Sequence, residues 1–265
     1  MTFNEIIDTV APQWQAYLSF QKGVLQSDVT LLNLINDYQD EHSGKHLRPL
    51  LVLLSAGATH NTDPHIAQLA TAVELLHNAS LMHDDVVDND DFRRGAASIQ
   101  HRWNIRVALL TGDYYLARMI QVLNEVGDPS LSKTVVATAT AMAEGELLQQ
   151  QLLLDGGSCD TDTYLRIIER KTSRLMQTCC ELGANRSDNA AKTNLSLFGR
   201  AYGMAFQLRD DIDDHGKEQL PWMPSPDFLH KTLLEHCDRA RRALLEISPS
   251  PQRNALMQLI NNLEI

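Results

Sequence analysis

Residues Ile66, Leu69, Ala70, Val73, His77, Ser80 and Asp84 recur at spacings of three or four, and the run closes on Asp84-Asp85-Val86-Val87-Asp88. That period belongs to one face of an α-helix, apolar at its start and polar at its end. Asp63-Pro64 precedes it with the residue types of a helix start, Asp as N-cap and Pro as first helical residue. The chain is therefore expected to bring several carboxylates to the C-terminal end of a largely buried helix. On that helix Asp84 and Asp88 share a face, with Asp85 about 100° round.

Like charges at this spacing repel, and a helix C-terminus is the unfavourable end of the dipole for anions. A cation should offset both. Carboxylate oxygens without His or Cys partners suit a hard ion, His83 being read only as a neighbour, and Mg²⁺ held by one or two carboxylates completes its shell with water and phosphate oxygens. Arg93 and Arg94 follow within ten residues and supply forks for phosphate. The stretch reads as a diphosphate-binding site.

The other long periodic runs are also helical and rich in Leu and Ala, with aromatic residues only 6% of the 265, which favours an all-α fold. A net charge of −11 argues against nucleic acid as a partner. The four cysteines have no metal or disulfide spacing, which suggests a reducing, cytoplasmic setting. No signal-peptide pattern is present and no apolar run reaches about 18 residues, so a soluble protein is expected.

In chain order, helices are expected over 3–20 and 29–39. The basic turn Gly44-Lys45-His46-Leu47-Arg48-Pro49 then enters an apolar helix, with Pro49 disfavouring helical geometry at Arg48. Alone, such a turn reads as a solvated cap, and His77 as a buried core histidine. Further helices are expected over 105–126, 131–154, 163–183, from 189 through Phe206-Gln-Leu-Arg-Asp-Asp-Ile-Asp-Asp214, over 226–247 and over 251–263. The cluster at Asp210, Asp211 and Asp214 repeats the first. Two acidic ends, each closing a long apolar helix, call for shared metal ions.

With these in order, the chain resembles a trans-prenyltransferase of the polyprenyl synthetase family over nearly its whole length. The resemblance rests on GKHLRP at 44–49, ELLHNASLMHDDVVD at 74–88, RRG at 93–95, GDYYLA at 112–117, EGELLQ at 144–149, KT at 171–172 and FQLRDDIDD at 206–214. It implies a single domain over 1–265 with about ten helices around a deep central cavity, the aspartate motifs facing each other at its mouth. It also implies a homodimer. Catalytic roles would fall to Asp84, Asp85, Asp88, Arg93, Lys171 and Asp210. About three Mg²⁺ ions, with Mn²⁺ as a substitute, would be held by Asp84, Asp88, Asp210, Asp211 and Asp214. The allylic diphosphate would meet Arg93, Lys171, Thr172 and Gln207, and isopentenyl diphosphate would meet Lys45, Arg48, His77 and Arg94.

The implied reaction ionises the allylic diphosphate, adds the double bond of isopentenyl diphosphate to the cation, and loses a proton. Product length depends on cavity depth. Ala79 and Ser80, one turn before Asp84, are small where the resemblance implies that bulky aromatics stop short chains. A medium- or long-chain product is expected, with a floor lower down near Val135, Met119 or Met142.

The chain departs from the pattern after Asp214, where His215-Gly-Lys-Glu-Gln-Leu-Pro221 reads as a shortened remnant of a lysine-bearing loop. Lys217 is its candidate for the allylic diphosphate. Alternatives are a short-chain synthase, a terpene cyclase, which resembles the chain less at the second acidic motif, or a non-catalytic subunit of a heteromeric synthase, which would be expected to lose aspartates.

Overall fold

The structure is a computed structural model describing residues 1–214 and 223–264. The chain runs through α1 (Phe3–Asp8), α2 (Ala11–Val24), α3 (Thr30–Glu41), α4 (Leu47–Ala58), α5 (Ile66–Val87), a hairpin of β1 (Phe92–Arg93) and β2 (Ala96–Ala97), α6 (Ile99–Arg102), α7 (Ile105–Val126), α8 (Pro129–Leu154), α9 (Thr161–Ile168), a π turn (Glu169–Ser173), α10 (Arg174–Gly183), α11 (Asn189–Asp214), α12 (Pro226–Leu245) and α13 (Pro251–Asn261). The fold is all-α apart from the hairpin. With Thr161–Gly183 taken as one helix containing a π turn, ten helices of seven or more residues stand among the described residues, as the sequence led us to expect.

Three local expectations are corrected. The run 3–20 is two helices, because Pro12 has no N–H to continue the α1 ladder and its ring would strike the carbonyl four residues back. Asp63 is not a helix cap: its buried carboxylate accepts from Asn185 Nδ2 at 2.5 Å and pairs with Arg186 at 3.0 Å, so α5 starts at Ile66 after His65. Arg48 is helical in spite of Pro49. The proline is the third residue of α4, where its missing N–H would have had no partner in the helix.

The chain divides into two compact units. One comprises Ala11–Leu50 and Pro64–Ser132, the other Met1–Val10, Leu51–Asp63 and Lys133–Ile265. In the first, α5 packs along α7 and against α2, burying Leu69, Val73 and Leu76 from α5 and Tyr115, Met119 and Val122 from α7. The Tyr115 hydroxyl donates to Asn36 Oδ1 at 2.8 Å, and the Asn36 amide donates to Leu25 O at 2.7 Å, so these two buried side chains satisfy each other and the backbone within the core. In the second unit α11 lies against both α10 and α12. Its Phe198, Tyr202 and Leu208 are buried there, and Gly199 fits directly against the Met176 and Gln177 backbone of α10. Each acidic motif thus ends a helix anchored along its length. No helix among the described residues is long and apolar enough to cross a membrane. Cys159, Cys179, Cys180 and Cys237 are all free thiols.

Candidate active site

In the first unit, the end of α5 sorts its aspartates by burial. Asp84 is half-buried and Asp88 exposed, whereas Asp85 is only 4% exposed. The Arg93 Nε donates to Asp85 Oδ1 at 2.6 Å, its Nη2 makes a second contact with the same oxygen, and Nη2 also lies 3.2 Å from Asp90. Burial pushes the Asp85 carboxyl up and Arg93 pulls it back down. The loop between is held by Gln100, whose side-chain amide donates to the carbonyls of Asp85 at 2.6 Å and Asp90 at 2.9 Å, and by Ser98, whose hydroxyl donates to Asp90 O at 2.7 Å.

Arg93 ends β1, and Arg94 and Gly95 form the turn of the hairpin with φ of 54° and 79°. Positive φ at both central residues is the geometry of a two-residue hairpin, which explains the glycine of RRG. The turn carries the Arg94 guanidinium onto Gly44, where an added Cβ would sit 2.6 Å from Cζ. His77 is 7% exposed, and its Nε2 is buried without a hydrogen-bond partner. Burial, then Arg48, Arg94 and Arg93, hold its pKa well below the usual imidazole value, so it is neutral. The structure therefore gathers Arg48, His77, Arg93 and Arg94 around one region of this unit. Lys45 is exposed in the turn beside it. Ala79 is fully buried; Ser80 is half-buried with its hydroxyl donating to His77 O at 2.8 Å.

In the second unit, Lys171 and Thr172 lie on the π turn, which displaces them from regular helical positions. The Thr172 hydroxyl donates to Gln207 Oε1 at 2.7 Å, the Gln207 amide donates to Asp211 Oδ1 at 2.9 Å, and the Tyr164 hydroxyl donates to Asp211 Oδ2. Lys171 donates to Gln149 Oε1 at 2.9 Å and pairs with Glu146. Burial raises the Asp211 pKa against the pull of the Tyr164 and Gln207 hydrogen bonds. Asp210 and Asp214 are exposed on the last turns of α11. Val135 is fully buried in α8. Lys217 and the segment His215–Pro221 lie outside the described residues.

Among the described residues no three His, Cys, Asp or Glu side chains converge on one point. What α5 and α11 do present is carboxylate pairs four residues apart, all hard oxygen donors, with Asp84 and Asp88 on one helix and Asp210 and Asp214 on the other. This donor set fits Mg²⁺, which takes one or two carboxylates and fills its remaining positions with water and phosphate.

Several participants were not singled out from the sequence. Glu146 and Gln149 fall within EGELLQ without an evident role. Tyr164 and Gln100 carry no motif, and only the fold brings them to the acidic helices.

An all-α fold with two helices ending in carboxylate pairs, one of them beside clustered arginines, is the architecture of the isoprenoid synthases. A decaprenyl diphosphate synthase structure from Rhodobacter capsulatus has the same fold, with a TM-score of 0.90 over 99% of this chain and 98% of that one at 23% identity. The model of the family described as polyprenyl synthetase matches residues 29–219. The chain is 35% identical over 257 residues to an all-trans-nonaprenyl-diphosphate synthase (geranyl-diphosphate specific) of Rhodobacter capsulatus, covering 91% of this chain and 79% of that protein. It is 39% identical over 192 residues to heptaprenyl diphosphate synthase component 2 of Geobacillus stearothermophilus, covering 70% of this chain but only 59% of the relative's length. The chain belongs to the polyprenyl synthetase family, and it is an enzyme of the polyprenyl diphosphate synthase family.

Proposed function

We propose that this chain, acting as one catalytic domain, catalyses Mg²⁺-dependent head-to-tail (1'-4) trans-prenyl transfer. It condenses isopentenyl diphosphate with an allylic diphosphate to give a medium- or long-chain all-trans polyprenyl diphosphate and diphosphate. The observation that carries this reading is the buried His77 with its open Nε2, on the helix that carries Asp84 and within the electrostatic reach of Arg48, Arg93 and Arg94. Such a group of cations with one neutral donor is suited to a diphosphate, which offers several acceptor oxygens and multiple negative charge.

In this reading Asp84, Asp88, Asp210, Asp211 and Asp214 hold Mg²⁺, which when bound supplies charge neutralisation for the leaving diphosphate. Arg93, fixed by Asp85, and Lys171 with Thr172 and Gln207 bind the allylic diphosphate and stabilise the negative charge that develops on it as the C–O bond breaks. Arg48, Lys45, Arg94 and neutral His77 orient isopentenyl diphosphate so that its double bond meets the allylic carbon. No protein nucleophile is needed, and the departed diphosphate accepts the proton released as the new double bond forms. The reading requires apolar walls that exclude water from the cation.

The nonaprenyl and heptaprenyl products named for two relatives support a long product here. Small residues at Ala79 and Ser80 agree with that. A homodimer in the cytoplasm completes the proposal, supported by exposed Leu110 and Ile120 on α7 and by the free thiols. A second reading, a subunit that needs a partner chain, draws on the Geobacillus relative being named a component. Incubation with radiolabelled isopentenyl diphosphate, Mg²⁺ and primers of increasing length tests both. The purified chain alone should give a product longer than a short-chain prenyl diphosphate; activity appearing only with a second chain would favour the other reading.

A further inference from the structure

His46 sits in the middle of the basic turn, with its backbone in the left-handed region at φ 47°. A residue with a Cβ adopts this conformation at a cost of about 1 kcal/mol, and keeps it only where its surroundings fix it. Here the side chain is fixed from three sides. Its Nδ1 lies 2.7 Å from the Tyr17 hydroxyl and 3.1 Å from Glu74 Oε1, and its ring meets Trp14 and Tyr17 edge-on. Both polar partners are deeply buried, Tyr17 at 0% and Glu74 at 3% exposure.

Glu74 is an unusual residue to bury. It lies on α5 three residues before His77, brings Oε1 to 3.1 Å from His46 Nδ1, and leaves Oε2 buried without a hydrogen-bond partner. A half-satisfied buried carboxylate is costly, and a hydrophobic residue would pack the same space without that penalty. What the carboxylate reaches is a residue whose carbonyl accepts the first hydrogen bond of α4, from Leu50 N at 3.1 Å. Arg48 stands two residues further on, and after burial its charge has the largest influence on His77.

We propose that Glu74 is a positioning residue: through His46 it fixes the 44–48 turn, so that Lys45 and Arg48 stand at the anion site of His77 and Arg94 before ligand arrives. Preorganisation of this kind spares the ligand the entropy of ordering the turn. The inference rests on the reading of that site as the one for isopentenyl diphosphate.

The test is a double-mutant cycle on the full chain. Glu74→Gln keeps shape and removes the charge. His46→Gly removes the tether while glycine takes φ 47° without strain, so the turn itself stays accessible. Each single variant is expected to raise KM for isopentenyl diphosphate about tenfold, with kcat and the allylic KM changed less than about threefold, and the double variant to be little worse than either. A neutral His46→Gly, a parallel rise in both KM values, or effects that multiply would overturn the proposal. Calorimetric binding of isopentenyl diphosphate to the same four proteins reads the coupling without turnover. If the unmodified chain transfers no prenyl group, the functional reading fails. A shared, non-multiplying loss of affinity in the variants would still support the role of Glu74, and independent or absent losses would overturn it.

Discussion

The Arg93 guanidinium donates to buried Asp85 at 2.6 Å while Asp84, its neighbour in the chain, remains half-buried. Adjacent aspartates of one motif thereby differ in surroundings: Asp85 is buried and holds an arginine, whereas Asp84, a Mg²⁺ ligand in the proposed function, is half-buried.

That difference has a kinetic signature. Asp85→Asn should lower kcat/KM for the allylic diphosphate by about 10- to 100-fold, because Arg93 loses its charged anchor, while the Mg²⁺ concentration for half-maximal rate stays nearly unchanged. Steady-state rates at varied Mg²⁺ check this; a large shift in the Mg²⁺ requirement would make Asp85 a ligand.

The π turn that carries Lys171 and Thr172 depends on a glycine. A Cβ at Gly203 would lie 2.6 Å from the Ser173 Cα, and the Ser173 hydroxyl ties the turn to α11 by donating to Arg200 O at 2.7 Å. Gly203→Ala should destabilise the fold by about 2 kcal/mol through overpacking and reduce activity further by displacing Lys171. Thermal unfolding and steady-state rates together read both effects.

Product length should respond to the residues before Asp84. The half-buried Ser80 can accept a larger side chain at less cost than Ala79, which is fully buried. Ser80→Phe should shorten the product with the fold retained, and Ala79→Phe should shorten it with a loss of stability of about 1–3 kcal/mol. Chromatography of dephosphorylated products measures the first, and an unchanged length distribution in both variants would remove this segment from the tunnel.

Stability should fall with acidification below neutrality. His77 is held well below its ordinary pKa by burial and Arg48, and His236 is lowered to about 4 by burial and Arg239. Between the ordinary imidazole value near 6.5 and about 4, the unfolded chain binds protons that the folded chain does not, so this contribution is whole above pH 6.5 and is lost as pH falls toward 4. Melting temperatures across pH 8 to 5 should drop, and His236→Asn should flatten part of that slope.

Helical period and capping residues made nearly every long helix legible, and acidic spacing located both carboxylate pairs. Pro12 marked a break that the apolar pattern of 3–20 concealed. Asp63 looked like a cap because sequence cannot show that Asn185 and Arg186, over 100 residues away, take its carboxylate. The same limit hid Tyr164 and Gln100, whose roles come from tertiary proximity to Asp211 and to the loop after Asp85. Spacing gave the shared face of Asp84 and Asp88, but only packing separates Asp85 from them.

The central claim is prenyl transfer dependent on the carboxylates that close α5. The most direct measurement is incorporation of radiolabelled isopentenyl diphosphate into butanol-extractable product, with Mg²⁺ and an allylic primer, by the unmodified chain and by Asp84→Ala. The unmodified chain should give long-chain product, and Asp84→Ala should lose at least about 1,000-fold, as expected when charge stabilisation at the leaving group is removed. Full activity in Asp84→Ala would contradict that claim.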